Sequence, residues 1–307
     1  AGSFVTAVTG QIVNLSFISY CFIFGIHIAP LDLVYIYILG AAAGLGMAYV
    51  FARRHLAFRY KIEWKWVKEL FNYGKYSFGT SLGAMVFGSI DQWMLGALHS
   101  TSAAGAYNIA IRITNLVEVP TGTVARIVFP QSAKRMETEG KAGIKYLYEK
   151  SVGTILALLL PALLFLFVFA GYVVDFLAGE KYDDAIPILH VTILFCLFVP
   201  FARQFGTIMD SIGKPKLNFK LTAFMALVNV GLNFLFISKF GVIGAAYATL
   251  TSYVTGFVIG QTILRKQLDV NFLNAFVYAV KFYPEFFSKH FRLSRKARPA
   301  SLPQDHS

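Results

Sequence analysis

Eight apolar runs of membrane-spanning length, joined by connections that alternate in charge, constrain this chain more than any other feature. They cover residues 4–28, 31–52, 76–98, 103–130, 151–174, 185–212, 217–238 and 241–264. A helix needs about 20 such residues to cross the hydrocarbon core. Of the 28 Lys and Arg, 23 fall in the segments that follow the second, fourth, sixth and eighth runs. Only Lys181 and Lys239 lie in the connections on the other side, and Arg112, Arg126 and Arg203 lie within runs. Basic connections stay cytoplasmic. The alternation therefore predicts a multi-pass protein of the inner (cytoplasmic) membrane with its C-terminus in the cytoplasm. The same placement makes the net charge of +12 a topology signal and argues against nucleic acid as a partner.

The expected fold class is all-α, a polytopic membrane helix bundle of about eight transmembrane helices. Composition agrees, because 14% of the residues are charged and 56% are hydrophobic, where a soluble domain carries about a quarter charged residues. Cys21 and Cys196 both sit inside apolar runs, too few and too deep for a disulfide framework. The opening stretch "AGSFVTAVTGQIVNL" lacks a Met, a basic leader and a cleavage site, so it is not read as a signal peptide. The chain reads as starting mid-protein.

Residues 53–77, "RRHLAFRYKIEWKWVKELFNYGKYS", form the best internal boundary. Trp64, Trp66, Val67, Leu70 and Phe71 give this segment an apolar side, and Lys61, Lys65 and Lys68 give it a basic one. It suits either a helix lying in the membrane interface or a solvated linker with aromatic anchors. The expected divisions are residues 1–53, an interfacial linker at 54–75, a bundle at 76–266, and an interfacial helix with a basic tail at 267–307. Past Arg265 the apolar stretch 272–280 is too short to span. The last residues, "RLSRKARPASLPQDHS", read as disordered.

Charges inside apolar runs each need a reason. Asn108, Arg112, Asn115, Val119, Gly122 and Arg126 recur at helical spacing and share one face. That polar face should look into protein or water. In the preceding run, Ser77, Ser81, Ala84, Gly88 and Asp91 form a stripe of small residues that allows close helix approach. Asp91 lies seven residues from Leu98 and Arg112 nine from Ala103, about 10 and 14 Å deep at 1.5 Å per residue. An Asp91–Arg112 ion pair is the economical expectation, as a structural clip or as part of a site. Arg203 lies ten residues from Gly213, about 15 Å deep. It points either to a water-filled cavity that receives anions or to a pair with Glu118 or Asp91. Arg126 is near enough to the basic end to snorkel. Asn218, Thr222, Asn229 and Asn233 in one run, and Thr249, Ser252 and Thr255 in the next, either glue helices together or hydrogen-bond sugar hydroxyls.

Catalytic and cofactor motifs are missing from this sequence. The six His are scattered, without His-Glu-x-x-His or Cys-x-x-Cys spacing. Neither a Walker lysine motif nor a Gly-x-Ser-x-Gly elbow occurs. Asp183 and Asp184 sit beside Lys181 on a short connection. No metal, cofactor or enzymatic activity is expected.

The ordered series "ELFNYGKYSFGTSL", "IDQWMLG", "SAAGAYNIAIRITNL", "IVFPQSAKRMETEG", "FLAGEKYDDAIPILHV", "DSIGKPKLNF" and "FGVIGAAYATL" resembles the second helical lobe of Wzx-type polysaccharide flippases. These belong to the multidrug/oligosaccharidyl-lipid/polysaccharide exporter superfamily. The resemblance runs from about residue 4 to 265 and implies two six-helix lobes around a central cavity that opens to alternate sides. It also implies that this chain comprises the end of one lobe and a complete second lobe, lacking about four N-terminal helices. The implied substrate is a polyprenyl-diphosphate-linked oligosaccharide, turned from the inner to the outer leaflet for cell-surface polysaccharide assembly such as O-antigen. The implied partners are the lipid bilayer and glycan polymerase or ligase membrane proteins. Arg112 and Arg203 are the expected diphosphate ligands, with Asp91 orienting or neutralising Arg112 and responding to protons. Asn108, Asn115 and Asn229 are further candidates for the substrate-binding set. The alternatives are a drug/cation antiporter of the same superfamily, a lipid-linked peptidoglycan-precursor flippase and a non-transporting membrane scaffold for glycan assembly.

Overall fold

The computed structural model describes residues 2–26, 29–53, 63–179 and 182–296. Expectations that fall on residues 54–62, Lys181 and 297–307 lie outside the described residues. Twelve α-helices and one 3₁₀ turn make up the described chain: α1 (Gly2–Ile23), α2 (Pro30–Ala52), α3 (Trp64–Leu98), α4 (Thr101–Thr114), the turn Asn115–Val117, α5 (Glu118–Thr138), α6 (Gly140–Val168), α7 (Ala170–Ala178), α8 (Ala185–Cys196), α9 (Val199–Ser211), α10 (Pro215–Phe240), α11 (Val242–Leu268) and α12 (Phe272–Lys296). Helices are what a lipid environment demands, because every backbone polar group must be satisfied within its own segment.

Among the described residues, all eight apolar runs lie mostly on helices. Among the described residues, four helices are long and apolar enough to cross a membrane by themselves: Leu31–Ala52, Gly140–Val168, Pro215–Phe240 and Val242–Leu268. The pair Ala185–Cys196 and Val199–Ser211, bent by 40°, is long and apolar enough only when taken together, as a broken span or a re-entrant loop. The other three runs lie on α1, α3 and α4/α5. In α3 and α4/α5 the charges Asp91, Arg112 and Arg126 and the small polar residues around them dilute the apolarity.

The chain divides into two compact units, Ala1–Trp64 and Lys65–Ser307. In the first, α1 and α2 pair through glycines; a Cβ on Gly10 would sit 2.9 Å from the carbonyl oxygen of Gly40. Pro30 opens α2, and the Asp32 carboxylate accepts the Ala29 N–H at 2.9 Å, satisfying one of the free donors at a helix start.

The second unit holds two buried apolar clusters. One surrounds Tyr107, Ile155, Leu189 and Ala245. The other surrounds Tyr148, Val152, Ile208 and Leu264, nearer the basic connections. Two spans break side by side between them, and proline accounts for both breaks. Pro120 has no N–H for the Leu116 carbonyl, and the helix tightens into the turn Asn115–Val117 at that point. Pro200, in the first turn of α9, leaves the Cys196 carbonyl free at the α8–α9 bend. The Cys196 thiol donates to the Thr114 carbonyl at 3.9 Å, bridging the two breaks.

Two segments differ from the sequence expectation. Residues from Trp64 onward are not a separate interfacial helix but the first turns of α3, with Trp64, Trp66, Leu70 and Phe71 exposed. No proline separates them from the span, so the helix runs on. The helix beginning at Phe272 likewise runs past the apolar stretch 272–280 and takes in residues 292–296, which were expected to be disordered. It continues through Pro284 to Lys296 and packs along α6. The buried Glu149 carboxylate accepts the Asn271 N–H and the Asn274 amide, both at 2.9 Å, an acidic anchor for a helix N-terminus. Tyr283 donates to the Ala157 carbonyl at 2.6 Å.

Gly153 permits this close approach, because a Cβ there would lie 2.6 Å from both the Ala275 carbonyl oxygen and the Tyr278 Cβ. Gly153→Val should therefore cost about 2–3 kcal/mol by overpacking. Limited proteolysis should then cut α12 faster in the variant than in the wild type; equal rates would show that α6 does not hold it.

Candidate functional site

The helices of the second unit converge on two polar features, a buried hub and a cavity beside it. Asp91 is the centre of the hub. It is 5% exposed and accepts hydrogen bonds from the Tyr107 hydroxyl, the Asn233 amide at 2.6 Å and the Thr249 hydroxyl at 2.6 Å. α3, α4, α10 and α11 are thus pinned at one carboxylate. The Asn229 amide donates to Thr249 and Ser252, both at 3.3 Å, and Asn233 also donates to the Asn229 carbonyl at 3.0 Å.

The expected Asp91–Arg112 ion pair does not form. The two ion pairs among the described residues are Arg135–Glu139 and Arg203–Glu118. Arg112 is exposed, and its Nε donates to Asn108 Oδ1 at 2.8 Å, while Asn108 donates to Gln92 at 3.0 Å. The reason is angular. Tyr107 and Arg112 are five residues apart on α4, which turns them about 140° from each other. Tyr107 faces Asp91, so Arg112 cannot. Depth alone brought Asp91 and Arg112 to similar levels, but Asp91 and Asn108 are the positions that mirror each other across the α3–α4 turn.

The cavity has a volume of about 930 Å³ and is walled by α3, α5, α9, α10 and α11 together with Asn115 of the 3₁₀ turn. Arg203 and Arg126 line it, as do Glu118 and Asp210. Arg203 Nη1 stands 4.0 Å from Glu118 Oε2, with both side chains about half exposed (53% and 50%). That is the outer limit of an ion pair, and an exposed pair of this kind is worth about 0–1 kcal/mol. The Asp210 carboxylate accepts two bonds at 3.0 Å from the Asn218 amide, and Tyr73 donates to the Asp210 carbonyl at 3.2 Å. Thr80, Ser81, Thr207, Thr222 and Gln261 add polar lining, and Phe87, Phe129, Tyr253 and Phe257 add aromatic lining. The cavity is therefore not purely cationic: two guanidinium groups face two carboxylates. Arg203 is held only by the distant Glu118 carboxylate, and Arg126 makes no ion pair among the described residues.

Of the six residues expected to bind substrate, Arg203 and Asn115 line the cavity. Asp91 and Asn229 belong to the buried hub, and Arg112 with Asn108 lies on another surface. Tyr107 and Gln92 had no role in the sequence reading. Their signal was available in the mirror positions about residues 99–100, which join two antiparallel helices. Glu118 was visible, but only as a partner for Arg203.

The helices of the second unit thus form a polytopic bundle around a polar cavity. An outward-facing multidrug-resistance transporter of the MATE family, in the MOP superfamily, has this fold: it matches with a TM-score of 0.68 and 19% identity over 86% of this chain and 63% of that one. A MOP superfamily transporter from Pyrococcus furiosus matches with a TM-score of 0.64 and 18% identity, over 87% and 63% of the two chains. The chain belongs to the polysaccharide biosynthesis protein family, whose profile matches residues 7–187.

Among curated relatives, an uncharacterized membrane protein of Methanocaldococcus jannaschii is 28% identical over 73% of this chain and 44% of its own length. The probable low-salt glycan biosynthesis flippase Agl15 of Haloferax volcanii is 26% identical over 69% and 45%. The lipopolysaccharide biosynthesis protein WzxC of Escherichia coli is 26% identical over 57% and 34%. The chain spans less than half the length of these relatives.

Proposed function

We propose that this chain supplies the second lobe of a flippase that carries polyprenyl-diphosphate-linked oligosaccharide from the inner to the outer leaflet by alternating access. The observation that carries the reading is Arg203 in the cavity wall, held only loosely by Glu118 at 4.0 Å. A diphosphate offers several charged oxygens to a planar guanidinium and forms short, charge-assisted hydrogen bonds, which outcompete a stretched and hydrated ion pair. Asn115, Thr207, Ser81 and Thr222 provide hydrogen-bonding groups for sugar hydroxyls. The family and the relatives with glycan-biosynthesis names support the same substrate class.

The positive-inside pattern supports an inner-membrane protein with its basic connections and C-terminus in the cytoplasm. In that orientation most of the cavity lining lies in the cytoplasmic half of the spans, beside the leaflet from which a lipid-linked glycan starts.

The test uses cells that lack the intact gene and a membrane-impermeant sugar-modifying reagent. The lipid-linked glycan should accumulate in the inner leaflet, and the intact gene should restore it to the outer one while an Arg203→Ala copy does not. An unchanged leaflet distribution, in a strain without a second flippase, would overturn the proposal. Glu118 and Asp210 would then direct attention to export of cationic drugs.

A further inference from the structure

A second group of cations lies away from the cavity, where α5, α6 and α12 meet. Arg135 stands in the last turn of α5, Tyr146 and Lys150 are one turn apart on α6, and Tyr278 belongs to α12. The Lys150 ammonium donates to the Tyr146 hydroxyl at 2.9 Å and lies 5.3 Å from the centroid of its ring. The Arg135 guanidinium lies 5.4 Å from the same centroid. Tyr278 meets that ring edge-on at 5.9 Å and fixes its orientation.

The carboxylates nearby do not use up these donors. Glu139 takes Arg135 Nη1 at 3.2 Å, an exposed pair within one helix turn that water screens. Glu285 on α12 acts on Lys150 through space but forms no ion pair with it among the described residues. Glu149 is committed to Asn271 and Asn274. Because the Tyr146 hydroxyl accepts from Lys150, its own hydrogen is left to donate. An ammonium, a guanidinium and a phenol O–H thus surround one partly exposed ring. All three are donors that suit a phosphate.

Position along α6 supplies the second observation. From Ser151 to Val168 this helix carries no charge, so Lys150 is the last charge before the stretch that crosses the hydrocarbon. The helix has 29 residues and is about 43 Å long against a core of ~30 Å. Its first turns therefore stand at headgroup level, where tyrosines also favour the interface. Beyond Lys150, the positions Thr154, Leu158, Pro161 and Phe165 continue its face at helical spacing. Leu158 and Phe165 are exposed. Donors at headgroup depth with an exposed apolar track beside them match a lipid, head and tail.

We propose that Arg135, Tyr146 and Lys150 bind the phosphate headgroup of one anionic membrane lipid, whose acyl chains lie along α6. General attraction between basic connections and an anionic leaflet spreads over every such residue. This site instead selects one lipid position through three donors of fixed geometry. The inference does not draw on the flippase reading.

The test uses the purified full chain, delipidated in a non-ionic detergent. Retention of radiolabelled phosphatidylglycerol is measured against zwitterionic phosphatidylcholine and against inorganic phosphate. We expect saturable binding of phosphatidylglycerol, about tenfold tighter than phosphatidylcholine, and no saturable binding of inorganic phosphate at the same concentrations. The double variant Arg135→Gln/Lys150→Gln should weaken it by about tenfold or more, whereas Lys266→Gln, on the exposed end of α11, should not. If the double variant does not fold, Tyr146→Phe makes the comparison. It keeps the ring against Tyr278, removes only the hydroxyl, and should cost about threefold in affinity. Equal affinity for the two lipids overturns the proposal, as does an equal loss in Lys266→Gln or no loss in Tyr146→Phe. Saturable binding of inorganic phosphate, lost in the same variants, also overturns it, because the site would then serve a soluble anion.

Discussion

Asp91→Ala should lower the stability of the purified protein by about 3–5 kcal/mol, the largest loss we expect from any single change. Alanine leaves the Tyr107, Asn233 and Thr249 donors buried and unpaired. Each orphaned donor costs about 1–3 kcal/mol, and losing the desolvation cost of the carboxylate offsets part of the sum. Asp91→Asn keeps an accepting oxygen, so it should lose about 1–2 kcal/mol. Thermal unfolding in one detergent, with wild type, Asn and Ala compared, reads the order directly. Equal losses for Asn and Ala would show that the hub does not hold α3, α4, α10 and α11 together.

Exchanging the charges across the cavity separates a structural ion pair from a substrate ligand. Arg203→Glu alone places two carboxylates at Glu118 and position 203 in the path of an anion. Export of surface glycan should fall by about two orders of magnitude, equivalent to ~3 kcal/mol. Adding Glu118→Arg restores opposite charges at the same two positions. If the Arg203–Glu118 contact at 4.0 Å served only to join α5 and α9, the double variant would recover export. We expect it to remain defective, because the guanidinium then projects from α5 rather than α9. Surface glycan staining with matched membrane expression decides between the two, and full recovery would remove Arg203 from the binding set.

The fold was legible to an unusual depth because lipid simplifies the code. Each run had to be helical, because a lipid environment leaves no other partner for its backbone polar groups. The reading failed where helix boundaries depend on packing partners. Residues 292–296 were read as part of a disordered tail, yet α12 extends to Lys296. Glu149 on a distant helix anchors its start, and Gly153 admits its backbone at close range. Neither contact leaves a trace in the local sequence around Phe272.

The site divides in the same way. Arg203 was identified as a mid-depth charge in need of water or a partner, and it lines the cavity with Glu118 4.0 Å away. Asp91 was identified as costly and in need of compensation, but the compensating groups were misassigned. Depth along an axis can be counted in residues, whereas facing direction across a helix pair depends on where the turn between them begins.

By itself the sequence determined that this chain is a set of membrane helices whose apolar runs hold the charges Asp91, Arg112, Arg126 and Arg203. Hydropathy, charge placement and helical periodicity are all one-dimensional quantities. Only the tertiary structure decided which of those charges meet. Asp91 turns inward to three uncharged donors, Arg112 turns outward, and Arg203 opens onto the cavity, because rotation of each helix about its axis is set by side-chain packing between helices.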